Sequence, residues 1–224
     1  YSFSWTHSSS TIPDASEDTT ATSATSDPLE EGDDWWFHVR TRDAAGNWNA
    51  HAVHEGPYKV DASSPSNPSC TEDHGVTDDV WQNGVDDPSF TCSGASDVSG
   101  LAGHYVYWGP NASGTSSTRV SDPNHDPPAV SGDGTYHLRF QTEDNVGNVS
   151  SWETVFIFRY DGTAPTGASV VINGDEIYTN NPNVSLVLGA SDATSSVTDM
   201  NIRNVGEAWS GWEPYQHSRS WTLS

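Results

Sequence analysis

Trp35-Trp36-Phe37-His38-Val39-Arg40-Thr41-Arg42-Asp43-Ala44-Ala45-Gly46-Asn47-Trp48 returns later in the chain as Tyr136-His137-Leu138-Arg139-Phe140-Gln141-Thr142-Glu143-Asp144-Asn145-Val146-Gly147-Asn148-Val149, with Asp144 in the place of Asp43. Each copy alternates apolar and polar residues and then runs into Asp-x-x-Gly-Asn. That pattern predicts a half-buried strand followed by a tight turn, in which Gly46 or Gly147 supplies positive φ and the Asp and Asn side chains bond nearby backbone. The structural turn residues are therefore Asp43, Gly46, Asn47, Asp144, Gly147 and Asn148. A second apolar strand follows each turn, and then an Asp-x-x-x-Pro linker, Asp61 to Pro65 and Asp161 to Pro165. A pattern that returns in this way marks an array of repeated units.

Outward from the repeat, the chain divides into units 1–62, 63–164 and 165–224. The first opens on Tyr1, Phe3 and Trp5 alternating with serines, which predicts a strand that aligns Trp5 with Trp108. Thr6 to Asp27 are too polar to fill a core and read as a long loop. In the motif strand, Trp35, Phe37 and Val39 make the more uniform apolar face, and Trp36, His38 and Arg40 the other. The middle unit looks complete: an entry through Asn67 to Cys70, a turn at Trp81 to Gly84, a strand at Pro88 to Cys92, a strand at His104 to Trp108, a polar excursion from Gly114 to Pro128, the motif, and a last strand from Thr154 to Tyr160. The third unit repeats Gly94-Ala95-Ser96-Asp97 as Gly189-Ala190-Ser191-Asp192, with Asp199 to Arg203 in the place of the strand at His104. The first unit lacks its first two strands and the third its last two. Two expectations follow: the residues are a window on a longer polypeptide, or neighbouring copies complete the broken units by strand exchange.

The 33% of hydrophobic residues are rich in Trp, Tyr, Phe and Val, and Gly and Pro punctuate the chain. No stretch sustains a helical period, so the fold class is all-β. Eight basic against thirty-one acidic residues give a formal charge of -23, which repels phosphate backbones and excludes nucleic acid as a partner. No run of eighteen apolar residues exists, so the segment has no membrane insertion of the helical kind. The first residues have neither the basic region nor the apolar core of a signal peptide. Cys70 and Cys92 lie at positions suited to neighbouring strands, as a disulfide or as two reduced buried thiols, and an oxidising compartment favours the bridge.

Asp43 to Asn47 with Val60 to Pro65, Gly94 to Gly100, and Tyr160 to Pro165 resemble the corresponding motifs of tandem bacterial immunoglobulin-like and fibronectin type III-like repeats. The first unit is closer to fibronectin type III, the second and third to immunoglobulin-like units. The resemblance implies serial β-sandwiches in a linear array within a large secreted or cell-surface protein, serving as stalk, fibre, adhesin or spacer. A cysteine pair is not usual in such repeats.

No nucleophile motif or phosphate-cradling glycine loop occurs, so an enzyme is not expected. His51-x-x-His54-Glu55 has metal-ligand residue types, but on a strand or loop that spacing does not bring both histidines to one face. Calcium is the cofactor the acidity suggests: Glu30, Glu31, Asp33 and Asp34, or Asp86 and Asp87 with Asp97, offer hard oxygens near the junctions between units. Ten tryptophans are present, and Trp35, Trp48, Trp209 and Trp212 are candidates for stacking on surface glycans. Asn111, Asn148 and Asn183 head glycosylation sequons. The expected partners are copies of the chain or flanking repeats, with surface glycans second. The leading expectation is a structural, extracellular repeat segment. The alternatives are an adhesin or carbohydrate-binding module, or an accessory region of a large extracellular hydrolase.

Overall fold

A computed structural model describes residues 1–224 and contains no helix. The strands are β1 (Ser2–Thr6), β2 (Gly32–Arg40), β3 (Val53–Val60), β4 (Ser69–Glu72), β5 (Trp81–Gln82), β6 (Phe90–Ser93), β7 (Leu101–Gly109), β8 (Arg119–Val120), β9 (Gly134–Asp144), β10 (Glu153–Tyr160), β11 (Thr166–Ile172), β12 (Asn183–Ser191), β13 (Asp199–Met200), β14 (Glu213–Pro214) and β15 (Ser218–Thr222). They form five sheets, ordered β1-β2-β3, β5-β10-β9-β7-β8, β4-β6, β11-β12-β15 and β13-β14. Neither the strand content nor the lack of helix departs from the all-β expectation.

The two motif copies fold alike down to their hydrogen bonds. Asp43 N donates to Asn47 O and Asp144 N to Asn148 O; Asn49 N donates to Thr41 O and Ser150 N to Thr142 O. Gly46 and Gly147 take φ of +93° and +99°, where a Cβ would crowd the neighbouring carbonyl. The neighbouring strand is in equivalent register too. Trp5 sits opposite Phe37 and Trp108 opposite Leu138, the same position of the repeat.

The middle unit buries the largest core. Its β4-β6 sheet faces the five-stranded sheet across Phe90, Cys92, Leu138, Phe140, Phe156 and Phe158, a cluster in which Phe140, Phe158 and Leu138 are completely buried. Phe90 meets Phe156 edge-on at 5.2 Å, and Trp108 stacks on Tyr136 at 5.7 Å. Alternation places this set: on β9 every second residue from Leu138 points inward, and on β10 Phe156 and Phe158 do the same. Cys70 and Cys92 are directly opposed on β4 and β6, and they are joined in a disulfide that closes a separation of 22 residues. The polar excursion carries β8 and one further pairing, in which Phe90 and His125 exchange both backbone hydrogen bonds. The expected turn at Trp81 to Gly84 is corrected: Trp81 and Gln82 are β5, paired parallel to Arg159 and Tyr160, and only the residues after them turn. The Gln82 side chain makes that turn by accepting from Gly84 N and Val85 N.

In the first unit the face assignment holds, but the burial runs the other way. Phe3, Trp5, Phe37 and Tyr58 form an aromatic surface that stays half-exposed, whereas His38 on the opposite face is fully buried. The reason lies in Thr6 to Asp27. Beyond Thr6, which ends β1, that segment forms no strand and bonds to the hydroxyl face of β1 through Ser2–Asp14 and Thr6–Thr11 contacts, which closes His38 off from water. The third unit packs a small core of Val184, Leu186 and Met200. Its segment from Asp199 to Arg203 is strand only at Asp199–Met200.

Candidate metal centre

The linker leaving β3 enters the middle unit at Asp61, and there three carboxylates from three distant parts of the chain meet. Asp61, Asp97 and Asp144 place one carboxylate oxygen each within 4.8 Å of one another. Each comes from a repeated motif: the Asp-x-x-x-Pro linker, the Gly-Ala-Ser-Asp turn and the Asp-x-x-Gly-Asn turn.

Local geometry fixes each of them. Asp144 is 1% exposed, and its Oδ1 accepts the N–H groups of Val146, Gly147 and Asn148 at 2.6–2.9 Å while Oδ2 accepts Asn148 Nδ2 at 2.8 Å. Burial pushes its carboxyl up, but the Asn148 amide and the turn N–H groups together outweigh burial and hold it below the ordinary range. Asp97 Oδ1 accepts Ser99 N at 2.9 Å and the Ser99 hydroxyl at 3.0 Å. Asp61 Oδ1 accepts Ser63 N at 3.1 Å and the Ser63 hydroxyl at 2.9 Å, and Asp61 O accepts Asn148 Nδ2 at 3.2 Å, which ties the linker to the turn. The neighbouring Ser99 hydroxyl, followed by Ser63, holds the Asp61 carboxyl below its ordinary range. The geometry gives the single Ser99 hydroxyl hydrogen to Asp97, however, and Asp61 Oδ2 is buried without any partner.

An ionised oxygen shut away from water with no donor is costly, and a cation answers that cost directly. The donor set is entirely oxygen and entirely anionic, which suits a hard divalent ion such as calcium and not zinc or copper. The residues fit calcium as a junction ligand set, with Asp61 Oδ2 the group that most needs it.

The grouping differs from the one read in sequence. Asp97 is brought together with Asp61 and Asp144, and Asp86 and Asp87 do not join it. Glu30, Glu31, Asp33 and Asp34 form no such cluster; Asp34 is engaged by His7, whose ring lies 4.0 Å from that of Trp35. His54 does meet another histidine, but it is His38 across the β2–β3 pair, Nδ1 to Nδ1 at 2.7 Å, and not His51. The sequence signal for the observed cluster was present in Asp61 and Asp161, Asp97 and Asp192, and Asp43 and Asp144, acidic residues that recur by motif and not by adjacency.

The other candidates separate on contacts. Trp48 lies under the guanidinium groups of Arg40 and Arg42 and Trp209 under that of Arg203, while Trp212 is 77% exposed and has no ring or guanidinium neighbour. Asn148 commits its amide nitrogen to Asp144 and Asp61, whereas Asn111 and Asn183 are exposed.

No family model, no curated protein and no solved structure matches this chain.

Proposed function

We propose that the chain is a structural, non-enzymatic segment of an extracellular stalk or fibre, made of successive sandwich units of the bacterial immunoglobulin-like and fibronectin type III-like kind. Calcium at Asp61, Asp97 and Asp144 locks the first linker onto the middle unit. The observation that carries this reading is that each linker aspartate is hydrogen-bonded to the unit that follows, Asp61 through its main-chain carbonyl and Asp161 through its carboxylate. Asp61 O accepts from Asn148 at the first junction, and at the second Asp161 Oδ2 accepts Ser195 N, beside the Asp192 turn, at 3.1 Å. A linker held this way transmits the orientation of one unit to the next, which is what a spacer needs and what a catalytic domain does not. The Cys70–Cys92 bridge fits an oxidising environment.

Calorimetric titration of the whole chain with calcium, thermal melting in calcium and in chelator, and small-angle scattering under both conditions test the reading together. Calcium binds with measurable heat, raises the melting temperature of the middle unit by several degrees and narrows the distance distribution. Asp61→Asn behaves in calcium as the parent does in chelator. Absence of binding heat together with superimposable melts removes the ion from the account. Scattering that shows freely reorienting units in both conditions removes the spacer as well.

A further inference from the structure

The second junction carries a feature that the spacer does not use, a cleft of about 850 Å³ between the middle and third units. Its floor is the linker from Asp161 to Pro165, and its two sides carry Trp81 and Trp212. We propose that this cleft binds a neutral oligosaccharide, with Trp212 as the stacking platform and Trp81 as the facing wall.

The composition of the walls selects the ligand class. Ten of the fourteen lining residues are not hydrophobic, which disfavours a lipid or an apolar peptide. No Lys, Arg or His lines the cleft, which disfavours phosphates, sulfates and uronic acids. A cationic ligand needs open carboxylate, and little is open here. Both Asp161 oxygens accept backbone N–H groups, from Thr163 and Ser195, and Asp199 Oδ2 accepts the Thr198 hydroxyl at 2.9 Å. What remains for a ligand is the Asn83 amide, the Ser195 and Ser196 hydroxyls, the second Asp199 oxygen and two indoles. Uncharged donors and acceptors beside flat aromatic surfaces match a pyranose, which presents hydroxyls at its rim and C–H groups on its faces. The volume lies in the range of about 300–1,000 Å³ typical of small-ligand sites.

The walls are also set in place before any ligand arrives. Trp81 belongs to β5, locked to β10, and Arg159 sits 5.4 Å from its ring centroid. Trp212 is held from both sides: Gly211 N donates to Asn201 Oδ1 at 3.1 Å, and Glu213 pairs with Met200. Asp161 N donates to Gln82 O at 3.0 Å, so the floor is tied to the Trp81 wall while Ser195 N ties it to the third unit. With the backbone fixed on both sides, only the two side-chain torsions of Trp212 have to be ordered on binding, which limits the entropy that a stacking contact must overcome.

The test is tryptophan fluorescence and calorimetric titration of the whole chain with short gluco-, manno- and N-acetylglucosamine oligomers. Oligolysine and a uronic acid oligomer serve as charged comparators. At least one neutral oligomer binds and quenches fluorescence, and Trp212→Ala weakens it by about tenfold, the value of one lost stacking contact. Trp212→Phe keeps most of the affinity and Trp209→Ala all of it. Because Trp212 is exposed, an unchanged circular dichroism spectrum accompanies Trp212→Ala. Failure of every neutral oligomer to bind at millimolar concentration overturns the proposal. So does equal binding by Trp212→Ala, or binding of the charged comparators alone.

Discussion

Opening the Cys70–Cys92 bridge in the folded chain isolates one contribution to the middle unit. The two cysteines face each other on β4 and β6, and the bond closes 22 residues. Releasing that loop returns about 11 cal/mol/K of entropy to the unfolded chain, or about 3 kcal/mol at room temperature on the chain-entropy account. A unit of about 100 residues unfolds with roughly 0.2 kcal/mol/K, so the expected fall in melting temperature is about 15 °C. Trp108 stacked on Tyr136 reports on this unit, so the near-ultraviolet dichroism of that pair is the signal to follow. The comparison is Cys70→Ala/Cys92→Ala against the oxidised parent, with reduced parent as a third sample. Cys92 is 5% exposed, so the double alanine chain also loses packing and melts lowest. A fall of less than about 4 °C in the reduced parent contradicts the loop-closure reasoning.

Gly103 has φ of +152°, and a Cβ there would lie 2.6 Å from Val120 O. Gly103→Ala destabilises the middle unit by about 1–3 kcal/mol in urea unfolding, with loss of the β7–β8 pairing in hydrogen exchange. Gly147→Ala, whose Cβ meets nothing within 4 Å, costs only the strain of its φ, about 1 kcal/mol; equal losses in the two variants would deny the role given to contact. Burial lowers the pKa of His104, His125 and His137. The unfolded chain therefore takes up protons first as the pH falls below about 6.5, and stability is complete above that value and declines beneath it. His74 works in the opposite sense. Its hydrogen bond to Glu72 raises its pKa, so its contribution is present below about 6.5 and is lost as pH rises through the folded value. Melting of the middle unit is accordingly lower at about pH 5 than at about pH 7.5, and His104→Gln flattens the slope; a slope unchanged by that variant assigns the dependence elsewhere.

What the sequence made legible was local or repeated. The motif strands, their turns and the strand that opens the chain followed from alternation and from one pattern seen twice. The cysteine pair followed from two residues on strands of one unit. What stayed hidden depends on long-range closure. Nothing local to Trp81 and Gln82 announces that they pair parallel with a strand nearly the whole unit away. His38 sits between apolar neighbours in sequence, and its burial depends on where Thr6 to Asp27 settle. The acidic runs drew attention to Glu30 through Asp34 and to Asp86 and Asp87, yet Asp33 and Asp34 are neighbours on β2 and point to opposite faces, and Asp86 and Asp87 lie in a bend outside the cluster. Single aspartates at turns converge because each turn delivers one carboxylate to a fixed point, and Asp61, Asp97 and Asp144 arrive that way.

The parallel contact between β5 and β10 has a further consequence if the two linkers are pulled apart. Tension enters the middle unit at Asp61, crosses into its body at the Cys70–Cys92 bridge and leaves at Asp161, so β10 is drawn along the axis it shares with the segment at Asp78 to Gln82. The bonds between them, Asp79 N to Ile157 O, Ile157 N to Asp78, Arg159 to Asp79 and Asp161 N to Gln82 O, then carry load side by side in shear. A hairpin unzips one rung at a time, whereas these bonds must yield together. Two residues of strand and a short flanking segment thus add a clasp loaded in shear beside the longer β9–β10 ladder.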